Sequence, residues 1–328
     1  MKRLYNNLVL MSLALLVVVL GSCSGSDYLN AIPKKSTALI SVDMKQMTAD
    51  KSDEDKAGML KTLLHVDDVD NCGIDVSEKL YLFETADGNL GLCAKVSSED
   101  GVSDWLATLA KKHIATEVTE RKGFHFSVLK NSWLVGYSDE ALLVMGPVVA
   151  DAQAQLQQQM VKYLKADEED GITASPMFDR LSGISSPMAM VAQAQALPEK
   201  FVAPFTLGAP KDTDPSQVVI AADMEVKNGI LQIQGETFSF NETIDKALQK
   251  AAQNYRPIKG SYVKSMPDDA LAGIFMNVNG EQFLPMMQSN RSLQTLLMGI
   301  NQAVDMDNIM RSVDGDMAIV LPTLGDAD

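Results

Sequence analysis

The feature that most constrains the fold is Asp87-Gly88, which sits between two short apolar runs at residues 79–84 and 90–96. An Asp-Gly pair readily takes the left-handed backbone that a tight hairpin turn needs. The runs beside it, Lys79-Leu80-Tyr81-Leu82-Phe83-Glu84 and Leu90-Gly91-Leu92-Cys93-Ala94-Lys95-Val96, are those of two antiparallel strands. A second hairpin is predicted across Lys227-Asn228-Gly229, joining residues 217–226 to 230–240. Between the two hairpins, strands at 114–120, 124–129, 132–137 and 141–145 form a meander. It breaks at Arg121-Lys122-Gly123, Lys130-Asn131 and Ser138-Asp139-Glu140. Phe124, Phe126 and Val128 alternate along their strand, which implies one covered face. Sequence therefore predicts an α+β fold, with mainly antiparallel sheets packed on one side with helices.

The helices announce themselves by period. Val102, Trp105, Leu106 and Leu109 have the spacing of a helix lying on a sheet. Residues 149–164 form a second helix with Leu156 and Met160 inward and a glutamine-rich outer face, and 176–181 a shorter one. Asn241 is placed to cap a helix carrying Ile244 and Leu248. Ser52 with Asp55 resembles a capping box ahead of Met59, Leu60, Leu63 and Leu64. Residues 188–194 read as a strand. Prolines at 198, 204, 210 and 215 then punctuate the segment 196–216, which reads as a loop or flap.

After Arg256-Pro257-Ile258-Lys259-Gly260 the pattern starts again. Tyr262, Met266-Pro267 and Ile274-Phe275-Met276-Asn277 match Tyr28, Ile32-Pro33 and Ile40-Ser41-Val42-Asp43 at an offset of 234. Leu296, Leu297 and Ile300 match Met59, Leu60 and Leu63 at 237, as does Asp305-Met306-Asp307-Asn308 against Asp68-Val69-Asp70-Asn71. A three-residue insertion near Pro285 reconciles the offsets. The expectation is an internal duplication of strand, helix and strand, with an incomplete second copy. The first α+β unit would span 28–257 and the second 262–328. On this reading the natural chain continues past Asp328, and the strand at 316–321 lies at a sheet edge.

Residues 1–22 are of a different kind. Lys2 and Arg3 precede a thirteen-residue apolar run, residues 8–20, which is too short to cross a bilayer as a helix. Leu20-Gly21-Ser22-Cys23 then looks like a lipobox. The expectation is a lipoprotein signal peptide at 1–22, acylation (palmitate) at Cys23, and a tether at 23–27. That places the protein in the bacterial cell envelope, on the periplasmic or cell-surface face, with the outer membrane favoured. The membrane partner is reached through the lipid on Cys23. A formal charge of −15 disfavours nucleic acid.

Chemistry is harder to find. Asp68-x-Asp70-Asn71-x-Gly73 fails as a calcium loop, because Cys72 and Lys79 stand where oxygen ligands are needed. It reads as a polar turn with Asp or Asn capping, and Asp314-Gly315-Asp316 as another turn. His65, His113 and His125 lack partners at metal-ligand spacing, and no nucleophile elbow, phosphate loop or dinucleotide fingerprint occurs. No catalytic residue, cofactor or metal is assigned, and whether the chain is an enzyme stays open, leaning against. Trp105 and Trp133 both read as core residues. Cys72 and Cys93 are compatible with a disulfide or with two buried thiols.

The lipobox, the Tyr28-Leu29-Asn30-Ala31-Ile32-Pro33 entry into a strand ending Val42-Asp43, and the later Pro267 copy resemble an uncharacterised group of Bacteroidetes lipoproteins, domain of unknown function 4836. The resemblance covers most of the mature chain and implies no activity, cofactor or catalytic residue. Such lipoproteins often carry acids after the lipidated cysteine as an export signal. Here only Asp27 follows Ser24-Gly25-Ser26. The leading expectation is a non-catalytic envelope protein that binds or scaffolds an envelope protein or glycan. The alternative is a hydrolytic or carbohydrate-active protein with its site near 196–216.

Overall fold

In the computed structural model, the described residues are 25–49, 52, 54, 55, 58, 61, 71–227, 230–260, 262 and 270–322. Strand β1 (Ala38–Val42) leads into the short helix α1 (Met44–Met47), which Asp43 caps by accepting from the Gln46 N–H. The hairpin around Asp87-Gly88 forms as β2 (Leu80–Glu84) and β3 (Leu90–Lys95), with Thr85 N–H donating to the Asn89 carbonyl at 2.9 Å. Ser98 caps α2 (Glu99–Lys111). The meander follows as β4 (Thr119–Arg121), β5 (Phe124–Leu129), β6 (Trp133–Tyr137) and β7 (Ala141–Gly146). Next come α3 (Gln153–Leu164), α4 (Pro176–Ser182) and β8 (Met188–Gln193).

The proline-punctuated segment is not all loop. It folds into α5 (Glu199–Phe205), with Pro204 in its last turn. The second hairpin is β9 (Val219–Lys227) and β10 (Ile230–Phe238), followed by α6 (Glu242–Ala252), capped by Asn241 as expected. The chain ends with β11 (Ala270–Asn279), α7 (Gly280–Ser289), α8 (Arg291–Ile300), α9 (Met306–Ser312) and β12 (Asp314–Pro322).

Ten strands make one sheet in the order β10-β9-β8-β1-β2-β3-β7-β6-β5-β4, and β11 pairs β12 in a second. By contact the chain falls into two compact units, Met1–Val191 with Asp223–Gln234, and Ala192–Ala222 with Gly235–Asp328.

Within the first unit, helices cover both faces of the sheet, and not one as the sequence suggested. One face carries Leu39, Tyr81, Phe83, Cys93, Leu143, Met145 and Phe126, all buried. It lies beneath a 3₁₀ turn at Asp27–Ala31, α3 and α4, where Tyr28 Oη donates to the Lys79 carbonyl at 2.9 Å and Cys93 Sγ to the Tyr28 carbonyl at 3.4 Å. The other face holds Leu80, Leu92, Ala94, Leu142, Val144, Val135 and Tyr137, and α2 lies on it through Val102, Leu106 and Leu109. This face continues to Leu82 and Leu90, which are 41% and 48% exposed. Cys72 and Cys93 are both buried thiols with no disulfide between them.

In the second unit, β11 and β12 pair antiparallel with Ile274 opposite Ile319 and Met276 opposite Met317. In the first, Ile40 faces Leu82 and Val42 faces Leu80. Segment 256–259 is tied to this second sheet: Arg256 Nη2 donates to Asp314 Oδ1 at 2.8 Å, and Asp316 Oδ1 accepts from the Lys259 N–H at 3.0 Å. Asp314-Gly315-Asp316 is thus the start of a strand that anchors its neighbour, where the sequence reading had a turn.

Candidate functional site

The apolar cavity under α2 arises from a mismatch of widths. A five-strand face is roughly 19 Å across and each strand roughly 17–20 Å long, whereas a helix is about 10–12 Å wide. Among the described residues α2 is the helix that packs on this face, through Val102, Leu106 and Leu109. It packs over the row Ala94–Leu142–Tyr137, cross-strand partners toward one end of the face, and leaves the flank uncovered.

A close approach fixes where α2 starts. Gly73 has φ +74°, and a Cβ there would lie 2.3 Å from the Ser98 carbonyl oxygen and 2.4 Å from the Val102 nitrogen. Gly101, in the first turn of α2, meets the Gly73 backbone in turn, its would-be Cβ 2.9 Å away. The Gly73 carbonyl accepts from both Ser97 and Ser98 N–H groups, at 2.8 and 3.2 Å. So the glycine of the failed calcium loop pins the helix to the turn before β2.

The uncovered flank encloses a cavity of about 370 Å³. Strands β2, β3 and β7 supply Leu80, Leu92, Ala94, Leu142 and Val144. Trp105 and Leu109 project from α2, and Trp133 from β6. Ile74 and Val76 close one end, and Ile114, Leu129 and Lys130 line the rest. Both tryptophans of the chain are therefore half-buried cavity walls, and not closed core as the sequence reading had them. Gly146 makes room for one of them, since a Cβ there would sit 3.1 Å from the Trp133 ring.

Lys130 is the charged residue of the lining, held at the β5–β6 turn with φ +47° and its N–H on the Ile114 carbonyl at 2.9 Å. Among the described residues it makes no ion pair. Lys111, Lys112 and His113 end α2 immediately before Ile114, all exposed. The arrangement can take up an apolar chain and offers a cation at its rim. Among the described residues its lining holds no nucleophile or acid–base pair.

Other candidates fare differently. Cys23 and His65 lie outside the described residues, as do residues 68–70. The matching Asp305-Met306-Asp307-Asn308 is a helix cap, with Asp305 accepting from the Asn308 N–H at 3.2 Å. Of the box expected at Ser52 the serine half forms: Ser52 Oγ accepts from the Asp55 N–H at 3.2 Å, and its hydroxyl donates to the Asp55 carboxylate at 2.6 Å. His113 takes a left-handed backbone at the end of α2, and His125 stands 3.2 Å from the Glu99 carboxylate with its ring stacked on Tyr137. Neither lines the cavity, and among the described residues no three His, Cys, Asp or Glu side chains are grouped to hold a metal.

The segment 196–216 borders a second cavity, about 430 Å³ and wholly within the second unit, with Thr206, Lys211, Asp214 and Asn290 on its walls. Two of its polar groups are already engaged. Asn290 Nδ2 donates to Thr206 Oγ1 at 3.1 Å, and Asp214 accepts from the Ser216 N–H at 2.9 Å, which holds that carboxyl below its ordinary range.

A family described as domain of unknown function (DUF4836) matches residues 44–325. The chain belongs to this family. No curated protein matches it. A solved structure titled "Structure of crystal form III of TP0453" aligns over 68% of this chain and 97% of that one, at 10% identity and a TM-score of 0.35. For this member of the family, functional assignment therefore rests on the geometry of its own cavities.

Proposed function

We propose that this DUF4836 protein is a lipid-anchored envelope protein that binds an apolar ligand in its first unit. The observation that carries the reading is the 370 Å³ cavity, walled by aliphatic side chains and both tryptophans. Small-molecule sites are typically clefts of roughly 300–1,000 Å³, mostly apolar, with few placed polar groups. Titration calorimetry with dodecanol tests it. The wild-type chain should bind one equivalent, and Val144→Phe, which takes up part of the cavity, should bind more weakly while remaining folded.

The anchor is Cys23, supported by the lipobox and the short apolar run before it. Mass spectrometry of the mature N-terminus should find an acylated cysteine, and Cys23→Ala should leave the membrane fraction. The outer membrane, facing the periplasm or the exterior, suits a protein that takes up an apolar ligand beside a lipid surface.

The paired registers support an internal duplication. Ile40 opposite Leu82 maps onto Ile274 opposite Ile319 through the offsets of 234 and 237 found in the sequence. The other reading, a hydrolase working near 196–216, has the second cavity in its favour, and an ester-substrate screen against Thr206→Ala would reveal it.

A further inference from the structure

We infer that the ligand of the α2 cavity is a single alkyl chain ending in an anion, with the head group at Lys130 and the chain lying between Trp105 and Trp133. This deepens the proposed apolar-ligand function and rests on it.

Capacity comes from volume. A dry cavity of about 150 Å³ lined by aliphatic side chains holds benzene, six carbons. At that ratio 370 Å³ takes roughly fifteen, the length of one long acyl chain and too little for two. Polarity comes from the lining. Leu92, Val144 and Leu142 give the chain no hydrogen-bond partner, so a sugar or peptide would lose its water contacts without replacement. Charge gives the head group. In a protein of net charge −15, the one charged residue among the described residues of the cavity lining is a lysine. Lys111 and Lys112 at the end of α2 add cations next to Ile114, whose carbonyl holds the Lys130 backbone. They also offset the partial negative charge of the helix terminus. The rim at Lys130 is where this cavity offers a cation, and it sets which way the ligand lies.

The test is a chain-length series of carboxylates and matched alcohols, from eight to eighteen carbons, titrated into the Cys23→Ser chain. Each methylene should tighten binding about three- to four-fold, up to about fourteen to sixteen carbons, and then no further. Carboxylates should bind about two- to five-fold more tightly than alcohols of the same length, a margin that added salt removes. Lys130→Gln should erase that margin and leave alcohol binding unchanged. Palmitate and a palmitoyl lysophosphatidylglycerol separate a free acid from a lipid head group, since both carry the chain and the anion. Equal binding of alcohol and carboxylate to the wild type would overturn the head-group assignment and leave the apolar cavity standing. No saturable binding of any chain, with the Val144→Phe chain folded normally, would end both.

Discussion

Val144 and Val135 face each other across β7 and β6, yet the same substitution at each should act in opposite directions. Val144 lines the cavity, whereas Val135 is 0% exposed in the cluster beneath α2. Val→Ile adds one methylene and keeps the β-branch that a strand favours. At position 144 the added group enters the cavity and leaves water, contributing about 0.8 kcal/mol. A cooperative unit of this size responds by about 2–4 °C per kcal/mol, so Tm should rise by roughly 2–3 °C. At position 135 there is no room, and overpacking should cost about 1–3 kcal/mol. Urea unfolding is the assay, with the midpoint read at constant m-value so that a change in the unfolded state is not mistaken for one in the fold. Destabilisation by Val144→Ile comparable to that by Val135→Ile would show that the space beneath Trp133 is not there.

Three further outcomes follow from the same packing. Gly73→Ala should cost about 1–3 kcal/mol through its positive φ and its contact with the Ser98 carbonyl, lowering the urea midpoint by a matching amount. Burial pushes the Cys93 thiol well above the ordinary range, and Cys72 is buried too, so neither should alkylate in the native protein and both should react in urea. The Asp87 carboxyl is held below its ordinary value of 3.8, first by the Thr85 hydroxyl at 2.6 Å and also by the Gln159 amide at 2.9 Å. Its contribution to stability is therefore intact above that value and lost as pH falls through the lower folded one. Asp87→Asn should cost under about 1 kcal/mol at pH 7, and the difference from wild type should vanish in acid.

What could be read from the sequence was what is local. The Asp87-Gly88 turn, the α2 stripe and the Asn241 cap each depend on a few neighbouring residues, and each forms where expected. Two-sided covering of the sheet left a signal that alternation alone did not weigh. Leu80-Tyr81-Leu82-Phe83 and Ala141-Leu142-Leu143-Val144-Met145 are unbroken apolar runs, the pattern of strands buried on both faces. The cavity left almost none. A period shows which face a residue occupies but not how much of that face a helix will cover. The α2 stripe points Trp105 to the core, and alternation on β6 does the same for Trp133. Only the packing of one 13-residue helix over five strands turns both into walls.

That geometry supplies its own probe. The chain has two tryptophans, both on the cavity, so its entire tryptophan emission reports on this space. Titrating the Cys23→Ser chain with palmitate, with emission recorded on excitation of tryptophan alone, tests the central claim most directly. The account predicts a saturable blue shift at one equivalent as the alkyl chain displaces water from both indoles, reached only at higher palmitate concentration in Val144→Phe. Binding measured by calorimetry with tryptophan emission unmoved, or an identical titration in Val144→Phe, would contradict it.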